Sequence, residues 1–334
     1  MISGLDINYS SEIALLREKV LSGNYITKAE AIILTQSPDL NLLDLLSSAE
    51  NIRRHYAGNQ IDLCAIINAK SGACSEDCSY CAQSSKYKTD VKIFQLIDKD
   101  AIIQKALEAK SGGVKRFSIV TSGKKVTSRE LKTISPIFEK IRDIGLIPCA
   151  SLGILSRDEL SFLKDNGLDR YHHNLETSER FFPMICSTHT FAERLKTIES
   201  AQEVGLSVCS GGIFGMGETW MDRLDMAFLL RDLDVQSIPI NFLIPVKGTP
   251  FESKRILHPF EALRIISLFR FILADKSIRI CGGREHILRE FHPMVFMAGA
   301  DALMTGNYLT TTGRTFHDDI RLIRLHGLLP PETL

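Results

Sequence analysis

Short runs rich in β-branched and aromatic residues alternate with segments of helical periodicity from residue 63 onward, and this alternation strongly limits what the chain can fold into. Eight runs predict strands, at 63–68, 116–121, 146–152, 169–175, 206–212, 237–243, 277–282 and 302–309. Helices are predicted between them at 100–110, 128–143, 156–166, 191–204, 219–232 and 259–274. Eight strands alternating with helices favour an α/β fold of the (β/α)8 TIM-barrel type, for which about 250 residues are typical. A doubly wound open sheet is the alternative.

This barrel accounts for most of the chain and divides it into three parts. Residues 1–62 are predicted to form an N-terminal helical layer on the outside of the barrel, where Thr27 and Glu30 have the spacing of a capping box. Residues 63–309 are predicted to form the barrel itself. Residues 310–334 are predicted to be a C-terminal segment that closes it.

Charge and composition exclude several classes of protein. The 334 residues contain 40 Lys and Arg against 40 Asp and Glu, and a net charge of zero argues against an electrostatic nucleic-acid binder. No apolar stretch approaches the roughly 18 residues that cross a bilayer, and the N-terminus lacks a secretory pattern. We therefore expect a cytoplasmic protein that binds neither membrane nor nucleic acid, with its eight cysteines reduced.

Three cysteines, Cys74, Cys78 and Cys81, directly follow the first predicted strand in a C-x3-C-x2-C arrangement. In βα barrels the active site lies on the loops that follow the strands, so the cysteines are placed where chemistry is expected. Three thiolates can hold three irons of a four-iron cluster and leave the fourth iron open to an exogenous ligand. Zinc is the alternative, but a structural zinc site needs a fourth ligand, which this loop does not supply.

A family resemblance is carried by segments 69–84, 171–178, 208–219 and 237–241, together with Tyr80, the aromatic residue before the last cysteine. These segments resemble the biotin synthases of the radical S-adenosylmethionine (SAM) family, from about residue 45 to 325. The resemblance implies that a 4Fe–4S cluster cleaves SAM to a 5′-deoxyadenosyl radical, which abstracts hydrogen from dethiobiotin. Sulfur from an auxiliary iron–sulfur cluster would then close the ring of biotin.

The predicted strand 277–282 gives independent support from its alternation. Ile278 and Ile280 share one face and should point outward to the helices, which turns Arg279 and Cys281 into the barrel. A buried guanidinium without a partner is costly, so Arg279 needs either a carboxylate or an anionic cluster beside it. The resemblance implies the second reading, because the matching arginine of biotin synthases is a ligand of the auxiliary cluster.

The remaining ligands of that auxiliary cluster match the family only in part. Cys149 and Cys209 occupy two of the family's cysteine positions, but Ser118 stands at the third. A hydroxyl is a poor substitute for a thiolate at iron, so Cys186 and Cys281 are candidate replacements, and we favour Cys186. The chain resembles the branch found in obligate anaerobes, which implies a four-iron auxiliary cluster rather than a 2Fe–2S cluster. Cys64 is predicted to fill core space, as most lone buried cysteines do.

Other site residues follow from the resemblance position by position. Contacts to SAM are implied for Tyr80, Asn174, Glu176, Arg194, Gly212 and Gly215. Arg194 is expected to pair with the methionine carboxylate or with Glu176, and the glycines would let the backbone approach the adenosyl group. Contacts to dethiobiotin are implied for Asn174, Asn241, Thr310 and Thr311.

The resemblance also implies partners. An electron donor such as a flavodoxin or ferredoxin must reduce the first cluster, and homodimers are common among relatives. Two other functions stay open: a related radical SAM enzyme of metallocofactor maturation, and a non-catalytic iron–sulfur carrier. A carrier would have no use for Asn241, Thr310 and Thr311.

Overall fold

A parallel β-barrel forms the centre of the computed structural model, which describes residues 8–331. Residues 1–7 and 332–334, which belong to the predicted N-terminal layer and C-terminal segment, lie outside the described residues. The strands are β1 (Asp62–Lys70), β2 (Arg116–Thr121), β3 (Ile147–Ser151), β4 (Arg170–His172), β5 (Ser207–Cys209), β6 (Gly212–Phe214), β7 (Ser237–Phe242), β8 (Ser277–Ile280) and β9 (Ala302–Met304).

The barrel closes because β1 pairs with both β2 and β9, and β7 pairs with both β5 and β6. The segments β5 and β6 together occupy one position, so the predicted barrel of eight strands is confirmed, with its fifth strand interrupted. The break lies at Gly211, where a Cβ atom would stand 2.1 Å from the carbonyl oxygen of Pro239 on β7. Proline has no N–H to donate to the ladder, so regular pairing is lost beside it.

Helices surround the barrel and fill the connections that the sequence predicts. They are α1 (Tyr9–Leu21), α2 (Lys28–Gln36), α3 (Leu42–Ala57), α4 (Lys99–Ser111), α5 (Ser128–Asp143), α6 (Arg157–Asp165), α7 (Phe191–Glu203), α8 (Trp220–Asp232), α9 (Pro259–Ile272), α10 (Arg284–Leu288) and α11 (Phe316–Leu325). Capping boxes begin α2, α5, α6, α7 and α8, including the predicted pair of Thr27 and Glu30. Each box satisfies backbone N–H groups that have no partner in the first turn. Between residues 8 and 331, no helix combines the length and apolar character needed to cross a membrane.

The first three helices pack on one side of the barrel. Helix α1 lies on α3, and α2 and α3 both pack against α9. Every residue of α9 from Ala262 to Ile272 is buried, because one side of the helix faces the barrel and the other faces this N-terminal layer.

The C-terminal part contains two helices that the sequence analysis did not predict, α10 and α11. They are joined by buried Arg284, whose guanidinium pairs with Asp319 on α11 and donates to the Tyr308 hydroxyl at 3.0 Å. Helix α10 has only five residues and offers no periodicity to read. Helix α11 is capped by Thr315, whose side chain accepts from the N–H of Asp318, a signal that could have revealed the helix.

Candidate active site

A cavity of about 440 Å³ opens at the carboxyl ends of the strands, where a βα barrel places its active site. Most of the predicted site residues line it: Cys74, Cys78, Tyr80, Cys81, Asn174, Glu176, Arg194, Cys209, Asn241, Arg279, Cys281, Thr310 and Thr311. Five others among the described residues do not, namely Ser118, Cys149, Cys186, Gly212 and Gly215. The structure therefore brings the cysteine loop, four of the six predicted SAM residues and the predicted substrate residues to one cavity.

The cysteine loop is held in place by bonds between its two ends. Gly72 and Ala73 have φ angles of 69° and 47°, which turn the chain sharply after β1. The Gln83 side chain accepts from the N–H of Gly72 at 3.1 Å, and the Cys74 N–H donates to the Gln83 carbonyl at 3.0 Å. Burial raises the pKa of Cys81 to about 11, so bound metal is needed to hold this thiol as a thiolate near neutral pH. Three cysteines on one cavity wall fit a cluster with one open iron.

Glu176 and Arg194 form the polar wall beside this loop. Glu176 is a buried residue with a φ angle of 71°, a strained conformation for a residue with a side chain. Burial raises the pKa of its carboxyl, while Arg194, 3.6 Å away, opposes that rise. Arg194 also donates to the Asn174 carbonyl at 2.7 Å. The predicted pairing of Arg194 with Glu176 is thus present in the structure.

The structure gives a reason for glycine at position 212 that was not visible in the sequence. A Cβ atom there would lie 2.4 Å from the carbonyl oxygen of Glu176, with which Gly212 shares an isolated parallel bridge. Glycine therefore allows close approach between two strand ends. Ile213, between the two predicted glycines, lines the cavity, and contact of Gly212 or Gly215 with an adenosyl group stays a prediction.

A layer of thiols lies deeper in the barrel. The strands are tilted against the barrel axis, so residues at the same height along that axis shift by two positions in the pairing register for every two strands. Inward side chains from alternate strands therefore lie at the same height. At one height this rule places Cys64, Cys149 and Cys209, from the first, third and fifth barrel positions, with Arg279 from the seventh. Cys281 stands two residues further along the strand of Arg279. Cys64, which the sequence analysis assigned to packing, therefore belongs to this layer and also lines the cavity.

The charges around this layer are predominantly positive. Arg279 pairs with Asp62 and donates to the Leu303 carbonyl at 3.1 Å, so the carboxylate partner expected as one alternative is present. Arg170 is also buried, but among residues 8–331 no carboxylate pairs with it. Burial raises the pKa of Cys149 to about 12 even though Arg170 and Arg116 oppose the rise. A buried guanidinium without a counter-ion beside several thiols suits an anionic metal–thiolate cluster.

Ser118 and Cys186 do not join the thiol layer. Ser118 lies in the next layer, where its hydroxyl is 3.4 Å from Nδ1 of His172. Cys186, the replacement favoured from sequence, lies in the loop after β4, and its Sγ is 3.8 Å from the Sγ of Cys78. The Ser79 N–H donates to the Ile185 carbonyl at 2.8 Å, which fixes that loop on the cysteine loop. In the structure Cys186 therefore lies beside Cys78 of the cysteine loop and not beside Cys149.

At the other side of the cavity, Asn241 already makes two hydrogen bonds. Its amide donates to the Gly212 carbonyl at 3.2 Å and accepts from the Gly282 N–H at 3.0 Å. One N–H and one lone pair of this amide are left for a ligand. Thr310 and Thr311 are exposed at the mouth of the cavity, in a turn closed by the Tyr308 N–H and the Thr311 carbonyl at 3.0 Å.

Sequence reasoning missed two residues that organise the site. Nδ1 of His189 lies 2.6 Å from Oε2 of Glu76, which stands between the first two loop cysteines. The other ring nitrogen of His189 accepts from Nε of Arg194 at 3.0 Å. These contacts connect the cysteine loop to the polar wall. The only sequence signal for them is a carboxylate inside the cysteine motif, which is weak by itself.

A closed parallel barrel with three cysteines on its first βα loop, opening on a cavity with a buried Glu–Arg pair, defines the radical SAM class of enzymes. Residues 69–230 match the family model described as the radical SAM superfamily. That class implies a 4Fe–4S cluster and SAM. Residues 239–329 match the model described as the Biotin and Thiamin Synthesis associated domain.

Individual relatives narrow the class. The chain is 58% identical over 296 residues to a biotin synthase of Thermodesulfovibrio yellowstonii, covering 89% of this chain and 93% of the relative. It is 49% identical over 315 residues to a biotin synthase of Clostridium tetani, covering 94% and 97% of the two chains. The chain belongs to the biotin synthase family.

Solved structures support the fold. The crystal structure of methylornithine synthase matches with a TM-score of 0.82 at 19% identity, covering 95% of this chain and 98% of that one. The FeFe-hydrogenase maturase HydG from Carboxydothermus hydrogenoformans matches with a TM-score of 0.80 at 17% identity, covering 97% of this chain and 80% of that one. At these identities the similarity concerns the barrel architecture and not the reaction.

Proposed function

We propose that the protein converts dethiobiotin to biotin by inserting sulfur between two carbon atoms, using SAM as the source of a 5′-deoxyadenosyl radical. The observation that carries this proposal is the single cavity, which contains the cysteine loop at one level and thiols of the deeper layer at another. When bound, the first cluster supplies the electron that cleaves SAM, and the auxiliary cluster supplies sulfur.

The chain's own residues would bind and orient the two organic substrates. Cys74, Cys78 and Cys81 would hold the first cluster. Arg194 and Glu176 present opposite charges to the cavity, which suits the carboxylate and the amino group of the methionine part of SAM. The unused amide positions of Asn241 suit a ureido ring, and Thr310 and Thr311 offer hydroxyl and N–H donors to a carboxylate.

We propose that the auxiliary cluster is of the four-iron type and that Cys64 and Cys281 complete its ligand set with Cys149 and Cys209. The proposal replaces our sequence-based preference for Cys186. It is supported by the shared height of three of these thiols and by the position of Cys281 on the strand of Arg279. In this arrangement Arg279 forms an ion pair with Asp62 and is not a cluster ligand. Its positive charge would lie beside the cluster and offset the negative charge of the thiolates.

Metal analysis tests this ligand set. With two four-iron clusters the wild-type chain should contain about eight irons, against about six with a 2Fe–2S auxiliary cluster. Cys64→Ala and Cys281→Ala should each lose auxiliary iron and retain the first cluster. Cys186→Ala is the matched control, because its thiol lies outside the layer. Full auxiliary iron in both the Cys64 and Cys281 variants would exclude these residues as ligands.

We also propose that an acidic electron-transfer protein, a flavodoxin or ferredoxin, reduces the first cluster. Two loops beside the cysteines form the surface proposed for this partner. The loop of Ser85 is held to the cysteine loop, because the Ser85 N–H donates to the Cys74 carbonyl at 2.8 Å, and the loop of Gly248 packs against the carbonyl of Lys88. These loops carry exposed cations that form no ion pair among the described residues: Lys86, Lys88, Lys92, Lys247, Lys254 and Arg255. A positive surface attracts an acidic partner. A homodimer and a cytoplasmic location are proposed on the family resemblance alone.

Activity is tested by anaerobic incubation of the reconstituted protein with dethiobiotin, SAM and a chemical reductant. Biotin should form together with 5′-deoxyadenosine. Cleavage of SAM without biotin would contradict the proposed reaction and favour a maturation enzyme. A cluster spectrum that does not change when SAM is added would instead indicate a carrier.

A further inference from the structure

Cys186 is a buried thiol that the proposed reaction does not use. Its loop is fixed to the cysteine loop on both sides of the thiol, since Ile185 accepts from Ser79 and the Ser187 N–H donates to Oδ1 of Asp77 at 2.9 Å. Cys78 and Cys186 are 8% and 6% exposed, with their sulfurs 3.8 Å apart. They are the only thiol pair in hydrogen-bond contact in the part of the chain that the structure describes.

One reading of this group is a cation site, because ligand atoms of Cys78, Cys186 and His189 lie within 4.8 Å of one another. The hydrogen bonds of His189 argue against it. Nε2 accepts from Nε of Arg194, which always carries its proton, so the proton of a neutral ring is on Nδ1 and points to Glu76. Nδ1, the ring nitrogen nearer to the Cys186 sulfur at 3.2 Å, therefore has no free lone pair for a metal.

The distance between the sulfurs points to thiol–disulfide chemistry instead. A disulfide bond is about 2.05 Å long, so the two atoms must approach by less than 2 Å from their present separation. Both thiols are on short loop segments held side by side by the Ser79–Ile185 backbone bond and by the bond from Ser187 to the Asp77 side chain. A shift of less than 2 Å between the sulfurs would form the bond.

We propose that Cys78 and Cys186 are joined by a disulfide when the chain lacks its first cluster and meets a small-molecule disulfide. This inference deepens the proposed function, because it assumes that Cys78 is otherwise a cluster ligand. Cys78 lines the cavity, so a small disulfide can reach the pair from there.

The reaction is balanced in two exchange steps. One thiolate of the pair attacks one sulfur of the small disulfide, which forms a mixed disulfide and releases one small thiol. The other cysteine of the pair then attacks the protein sulfur of this mixed disulfide and releases the second small thiol. Two protein thiols are oxidised by two electrons, and one small disulfide is reduced to two thiols.

The consequence is protection of a cluster ligand. An open Cys78 thiolate can be oxidised further to sulfinic acid, which is not reversed by thiols, whereas a disulfide is. The first cluster can then assemble only after reduction of the Cys78–Cys186 bond. Cys74 and Cys81 make no comparable thiol contact among residues 8–331.

Peptide mapping of the full-length chain tests the proposal. Cluster-free protein, prepared anaerobically with a chelator, is treated with oxidised glutathione, alkylated, digested and analysed by mass spectrometry. The Cys78–Cys186 peptide should be the dominant linked pair, because no other thiol pair among the described residues is in hydrogen-bond contact. The cluster-loaded protein should give little of it, since iron occupies Cys78.

Variants separate this reaction from general oxidation. Cys186→Ser should lose the linked peptide and accumulate glutathione on Cys78, and Cys186→Ala should behave alike. Cys281→Ser should retain the link. A dominant link within the cysteine loop, or a Cys186 that remains free for alkylation, would overturn the proposal. The measurement does not depend on biotin formation, so failure of the proposed reaction and failure of this inference give different results.

Discussion

His292 is a buried histidine whose protonation is opposed by its surroundings. It is 4% exposed, and its Nε2 accepts a hydrogen bond from Nη1 of Arg284 at 2.6 Å. Burial, followed by the charge of Arg284, lowers the pKa of His292 from 6.5 to about 3. The folded protein therefore keeps this ring neutral at mildly acidic pH, whereas the unfolded chain protonates it.

This difference fixes the sign and size of a pH effect on stability. Below pH 6.5 the unfolded state binds more protons than the folded state, so the free energy of unfolding decreases as the pH falls. From the two pKa values, the contribution of His292 at pH 5 is a loss of about 2 kcal/mol relative to pH 7.5. Between pH 6 and pH 4 the mean slope is about 1.3 kcal/mol per pH unit.

His292→Gln should remove this slope and retain the hydrogen bond, because the glutamine side-chain oxygen accepts from Arg284. Urea unfolding of wild type and variant is compared at pH 7.5 and pH 5, and the difference in unfolding free energy between the proteins should change by about 2 kcal/mol in favour of the variant. Effects common to both proteins, including cluster loss in acid, cancel in this comparison. Parallel pH profiles would refute the argument.

Three further predictions concern the cavity and its surroundings. Asn241→Asp replaces an amide donor by an oxygen that faces a backbone carbonyl, so thermal unfolding should show a loss of about 1–3 kcal/mol, and KM for dethiobiotin should rise. Lys86→Glu combined with Lys88→Glu should slow reduction of the first cluster by flavodoxin at low salt and leave reduction by dithionite unchanged. Lys132→Glu, on the outer wall of the barrel, is the control and should change neither rate. Equal rates of reduction by flavodoxin in the double variant and the wild type would contradict the proposed docking surface. Arg170→Met should leave the cluster-free protein as stable or more stable and reduce the auxiliary iron content, and unchanged iron would show that its charge does not support the cluster.

Much of the barrel was predictable because its signals are local. Strand β2 and helix α5 have the predicted bounds, and the capping boxes mark where helices begin. The interruption of the fifth strand was not predictable, because it depends on Pro239 of a neighbouring strand meeting Gly211. Helix α10 was missed because five residues show no period.

Part of the candidate site was also predictable from local sequence. The spacing of Cys74, Cys78 and Cys81 in one loop is sufficient to predict three ligands of one cluster, because residues so close in sequence stay close in space. The inward direction of Arg279 also follows from the period of two along a strand, and the structure confirms it.

The sequence by itself therefore determined the barrel, the cysteine loop and the family resemblance. Only the tertiary structure decided the neighbours of the other cysteines. The height of Cys64 in the barrel depends on register shifts summed over all the strands, which cannot be read from any one segment. The position of Cys186 depends on how a loop folds back over another loop, and this contact placed it beside Cys78 and away from the thiol layer.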